Sequence, residues 1–128
     1  MTSATLSKPR SANVVLWVLR GVVAALFLFA ASMKLTSQPM MVQEFDMVGL
    51  GQWFLYFTGV LEAVGAVATL IPSVSVLGAV LLLAVDAGAF VAQVAAIHMD
   101  WVHPIVIGAV IAALIYLQRD ALKARLGL

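Results

Sequence analysis

The chain has 128 residues, of which 64% are hydrophobic and only 10% charged, with a formal net charge of +1 and no cysteine. Soluble domains run at about 45–50% apolar and about 25% charged, so a water-soluble fold of this length could not bury so much apolar surface, whereas a lipid-embedded one need not. The same numbers exclude a basic nucleic-acid footprint and, within this chain, thiolate metal sites and thiol–disulfide chemistry.

Residues 1–12 are polar, carry Lys8, Pro9 and Arg10, and read as a disordered tail. Four apolar runs follow, over 13–35, 53–71, 74–97 and 101–117. A membrane span needs about 17–25 such residues; the first three qualify, and the fourth is at the short end unless it starts at Met99 or ends at Gln118. Pro72 and Ser73 form a tight link between the second and third runs, and His98, Met99 and Asp100 another between the third and fourth. The long connection, 36–51, carries Met41, Phe45 and Val48 in helical register, which fits a short interfacial helix as well as a solvent loop. Residues 119–128 form a basic tail. The expectation is an all-α, integral membrane four-helix bundle.

Lysine and arginine near the span ends set the orientation. Lys8 and Arg10 precede the first span, and Arg119, Lys123 and Arg125 follow the last. The opposite side carries Lys34, Glu44, Asp46 and Asp100. Both tails are therefore expected in the cytoplasm, with the protein in the inner (plasma) membrane. Trp53, Tyr56 and Trp101 at one face, and Trp17 and Tyr116 at the other, fit aromatic belts. A cleavable signal is the competing reading of the first run, with the stretch 22–30 ending at Ala30, Ala31 and Ser32; Arg20 sits late for it, since the apolar run already starts at Val14.

Three charges fall deep within spans: Arg20, Glu62 and Asp86. Such residues are costly in lipid and turn inward. At 1.5 Å of rise per residue they lie at about 10, 13 and 18 Å from one membrane face, so the three are expected to meet. Asn13, Arg20, Phe27 and Lys34 recur every seven residues and share one side of a helix. Thr58, Glu62, Gly65 and Thr69 share a side of the second, and Ser75, Asp86 and Gln93 a sector of the third. Opposite Asp86, the row Ala84, Gly88, Ala92, Ala96 suits close helix packing. An Arg20–Glu62 ion pair that only fixes helix register is the structural alternative. The surplus carboxyl favours a functional reading, since a carboxyl that keeps its proton suits proton-coupled chemistry or a hydrogen bond to a quinone. From spacing alone, Lys34 reads as a snorkelling side chain at a helix end. His98, Asp100 and His103 lie close in sequence, but with no further ligand evident they read as solvated, and no metal is expected.

Residues 19–35, LRGVVAALFLFAASMKL, resemble the first helix of the DoxX and DoxX-like proteins, opened by arginine-glycine and closed by lysine. Residues 59–72, GVLEAVGAVATLIP, resemble their second-helix signature, and 44–59, EFDMVGLGQWFLYFTG, the connection into it. The resemblance implies a four-helix membrane protein, with Arg20, Lys34, Glu62 and Gly65 at the matched positions, and it gives Lys34 a weight that snorkelling does not. The family's namesake is linked to thiosulfate:quinone oxidoreduction, and some relatives associate with oxidative-stress proteins. The chain itself has no haem, flavin or thiol motif. The first expectation is therefore a membrane subunit beside an oxidoreductase, with quinone as the one candidate cofactor and a pocket lined by Arg20, Glu62, Asp86, Lys34, Gln93 and Phe27. The alternatives are a non-catalytic scaffold or chaperone binding a partner protein and, third, a proton-coupled transporter that would have to form a homo-oligomer.

Overall fold

The computed structural model describes residues 10–127. In chain order the elements are α1 (Arg10–Leu35), α2 (Pro39–Val48), α3 (Gln52–Leu70), α4 (Ser75–Ala92, continued by a π-helical turn over Gln93–Ile97), α5 (Val102–Leu117) and α6 (Arg119–Leu126). No strand occurs among the described residues. The helices α1, α3 and the 23-residue Ser75–Ile97 stretch are long and apolar enough to cross a membrane. With α5 they form an antiparallel up-and-down bundle in which α1 packs on α3, α3 on α4, α4 on α5, and α5 back on α1.

The first helix already includes Arg10, three residues before the apolar run, so the tail read over 1–12 is helical where it is described; the rest of it, 1–9, lies outside the described residues. Its inward side is Leu16, Arg20, Val23, Ala24, Phe27, Ala31 and Lys34. That is the seven-residue stripe of the sequence filled in by its i+3 and i+4 neighbours; Asn13, at the head of the stripe, is exposed. The connection 36–51 folds as α2, with Pro39 in the first turn and Gly49 closing it at φ 82°, a left-handed position that glycine adopts without strain.

The fourth run gains no extra turn. Asp100 Oδ1 accepts from the N–H groups of Val102 and His103, at 3.1 and 3.0 Å, which caps α5 at its start. At the other end Gln118 leaves helical geometry (φ −111°, ψ 20°). The chain then turns by 72° into α6, so the basic tail is a helix lying across the bundle end. The 16 residues of α5 extend about 24 Å.

Glycines set how the helices register. A Cβ on Gly78 would lie 2.7 Å from Thr69 N and 2.8 Å from Gly65 O, and one on Gly65 would lie 2.6 Å from a Leu82 methyl. A Cβ on Gly59 would lie 3.1 Å from Lys34 Cβ and the Leu35 side chain. Between these contacts a dry core forms from Leu16, Val23, Ala24, Phe27, Ala66, Ala79, Leu82, Ile111 and Leu114. The outer faces stay apolar, with Phe29, Val60, Val64, Val106 and Tyr116 each at least half exposed. In water that surface would far exceed an ordinary patch; in a bilayer it faces acyl chains.

Replacing Gly78 by alanine forces side-chain atoms against backbone that cannot rotate away. The expected loss is about 1–3 kcal/mol, the usual cost of overpacking, read as a lower thermal midpoint in detergent. Gly21→Ala, where nothing lies within 4 Å of the new Cβ, is the control and should be neutral or slightly stabilising.

Candidate functional site

The polar residues separate into three levels along the bundle. At the end where the chain enters and leaves, Arg20 Nε donates to Ser75 Oγ (3.0 Å) and Arg20 Nη2 to Gln118 Oε1 (2.8 Å). Ser75 Oγ in turn donates to Thr69 O at 2.7 Å across the α3–α4 turn. The Gln118 amide nitrogen donates back to Leu114 O at 3.4 Å. The guanidinium also stands 4.6 Å from the centre of the Trp17 ring. One arginine thus joins α1 to the start of α4 and the end of α5, which closes the ring of helices at this level. Arg20, Thr69, Ser75 and Gln118 are all buried.

Farther along, Lys34 Nζ lies 2.9 Å from Glu62 Oε1, with both side chains about nine-tenths buried. Phe45 of α2 sits over the ammonium, its ring centre 6.0 Å away. In hydrocarbon each ion would be prohibitive alone, and α2 closes the pair off. On the adjoining helix Gln93 opens the π-helical turn, whose defining bond runs from His98 N–H to Gln93 O at 2.7 Å. Gln93 Oε1 is buried and accepts no hydrogen bond among the described residues.

At the third position, midway along α4, Asp86 is 7% exposed. Among the described residues its carboxyl makes no hydrogen bond and no ion pair within 4 Å. It faces α5 at Gly108, where an added Cβ would lie 2.7 Å from Asp86 Oδ2. The two helices leave a groove of about 220 Å³ there, open on the outer side and lined by Asp86, Ala87, Phe90, Pro104, Ile105 and Gly108.

Three expectations change. The Arg20–Glu62 pair does not form, because Arg20 is level with the first residue of α4 and the residue after α5, about fourteen residues or roughly 21 Å of helix from Lys34. Taking Asn13 as the membrane boundary set Arg20 too deep; α1 overhangs its neighbours by about three turns. Lys34 does not snorkel outward, since its ammonium turns in to Glu62. Phe27 is a core side chain at 6% exposure and is not among the residues lining the groove between α4 and α5. His98, Asp100 and His103 do not converge, and no three His, Asp or Glu among the described residues could hold a metal ion. Three contributors escaped the sequence reading: Gly108, Gln118 as the arginine's acceptor, and Asp100 as a cap. Gly108 had a visible signal, being the sole glycine within 101–117.

The fold and these groups define a small all-α integral membrane protein with polar side chains buried inside its helical bundle. Residues 18–117 match the sequence model of the DoxX-like family, and the chain belongs to that family. No curated protein and no solved structure matches it.

Glu62→Ala leaves a buried ammonium without its anion. The expected destabilisation is about 3 kcal/mol or more, whereas the paired change Lys34→Met with Glu62→Leu should cost less, because no charge is left behind. Thermal unfolding in detergent separates the two; equal losses would show that the pair contributes no more than its packing.

Proposed function

We propose that this DoxX-like protein is a membrane subunit that serves an oxidoreductase by holding a quinone-type head group in the groove between α4 and α5. The observation that carries the reading is Asp86: a nearly buried carboxyl with no hydrogen bond or close ion pair among the described residues, at the floor of an apolar groove that reaches the lipid-facing side. Buried polar groups are normally satisfied, and this one is satisfied by a ligand hydroxyl. Gly108 supports the fit, since any side chain there would occupy the space before the carboxyl. A quinol would donate its hydroxyl to Asp86, with the ring against Phe90 and Pro104 and the tail leaving sideways among acyl chains. The bound quinone would supply the electron-carrying chemistry. This chain's residues bind it, orient it and keep water away. Lys34, Glu62 and Arg20 brace the bundle around the groove.

A scaffold that binds a partner helix is the second reading, and one observation favours it. Ala84 and Gly88 of the small-residue row face outward, and a Cβ on Gly88 would meet nothing within 4 Å. These two exposed small residues suit a close helix crossing.

Two experiments test the proposal. Protein purified in mild detergent should retain quinone detectable by mass spectrometry. Retention should fall more for Asp86→Leu than for Asp86→Asn, whose amide still hydrogen-bonds, and should be lost on filling the groove with Gly108→Leu. Absence of bound quinone, together with no fluorescence quenching on titration with a soluble analogue, gives the field to the scaffold. For orientation, we place both ends in the cytoplasm from Arg10, Arg119, Lys123 and Arg125. A C-terminal fluorescent-protein fusion should then glow and a C-terminal alkaline phosphatase fusion stay inactive.

A further inference from the structure

The charges are sorted along the bundle. At the end that carries the described termini lie Arg10, Arg20, Arg119, Lys123 and Arg125, against a single acid, Asp120. The remaining acids, Glu44, Asp46, Glu62, Asp86 and Asp100, sit at mid-depth or toward the other end. Lys34 has its carboxylate. Arg20 has none within ion-pair distance among the described residues; its acceptors, Ser75 Oγ and Gln118 Oε1, are neutral. These bonds occupy Nε and Nη2 and leave Nη1 without a hydrogen bond among the described residues. The guanidinium is thus oriented by two neutral acceptors and the Trp17 ring, at 6% residue exposure.

Around it the surface is half lipid and half headgroup in character. Val14, Val15, Trp17 and Val18 of the overhanging turns of α1 are about half exposed. Tyr116 is 62% exposed, with Arg119 over its ring at 4.3 Å and donating to its carbonyl at 2.9 Å. The turn at Gln118 swings α6 by 72° across the bundle end. There Arg125 Nη2 donates to Ser73 O, and Lys123 stands exposed. Basic side chains at this level, with aromatic and apolar neighbours, match the headgroup region of a bilayer.

We infer that Arg20 and the basic side chains of α6 form a binding site for the phosphodiester of an anionic lipid, which supplies the counter-ion that the chain withholds from Arg20. The required chemistry is a phosphate oxygen, an acceptor that Arg readily takes. The lipid is the source rather than a free anion because Val14, Val15 and Val18 offer the adjoining surface to acyl chains. The site is separate from the groove at Asp86 and does not depend on how that groove is used.

The test is native mass spectrometry and thermal unfolding of the full chain in micelles containing equal amounts of phosphatidylglycerol and phosphatidylcholine. Wild-type protein should retain phosphatidylglycerol preferentially and unfold at a higher temperature when it is present. Replacing Lys123 and Arg125 together by glutamine should weaken the preference, by about fivefold per cation removed, and added salt should weaken it too. The decisive variant is Gln118→Glu. It places a carboxylate where Arg20 Nη2 already donates, so it keeps the clamp, holds the unfolding temperature in phosphatidylcholine alone, and should abolish the preference. A folded Gln118→Glu protein with its lipid preference intact would overturn the inference. So would a wild-type protein indifferent to the two lipids, or one that inorganic phosphate stabilises as well as phosphatidylglycerol does.

Discussion

The contact on which the rest depends is the backbone approach of α3 and α4 at Gly65 and Gly78. With no side chain between them, Gly78 comes against Thr69 N and Gly65 O. In hydrocarbon there is little hydrophobic drive to bring helices together, and close packing of small residues replaces it. This approach brings Ser75 within reach of Thr69 O, so the α3–α4 turn closes on a side-chain hydrogen bond. It also sets the height of α4, and so the height at which Ser75 meets Arg20 and Asp86 meets Gly108. The polar groups follow the register that the glycines permit.

Much of the bundle was legible in the sequence because hydrocarbon imposes length and composition directly. Three long apolar runs became three long helices, and the stripe Arg20, Phe27, Lys34 did turn inward. The residue heights were not legible. A helical repeat fixes the angle at which a side chain leaves its own axis, but it carries nothing about how far one helix slides along the next. That slide is fixed by contacts such as Gly59 against Lys34 and Leu35. A displacement of a few turns was enough to exchange partners, so that Glu62 met Lys34 and Arg20 met neutral acceptors. The family resemblance singled out Arg20, Lys34 and Glu62 together, and it was better placed to do so than spacing, which explained Lys34 by its position at a helix end.

The separation also changes the chemistry available to each group. Concentrated in one pocket, a guanidinium and two carboxylates would largely have neutralised one another. Spread over three levels, each has its own setting: a clamp at one end, a closed ion pair under α2, and a carboxyl at the floor of the α4–α5 groove. The first two hold helices in place, while the third is left open. The groove at Asp86 lies between α4 and α5, two helices joined by the tight link from which Asp100 caps α5, and Gly108 lines it.

The clamp at Arg20 joins residues far apart along the chain. Its two side-chain acceptors follow it by 55 and 98 residues. Because a chain emerges from the ribosome amino end first, α1 reaches the bilayer before either partner has been made. Ser75 arrives with the third crossing and takes one nitrogen. Gln118 arrives later still, at the point where the chain turns out of the bundle. The far end of α5 therefore locks a helix made well before it.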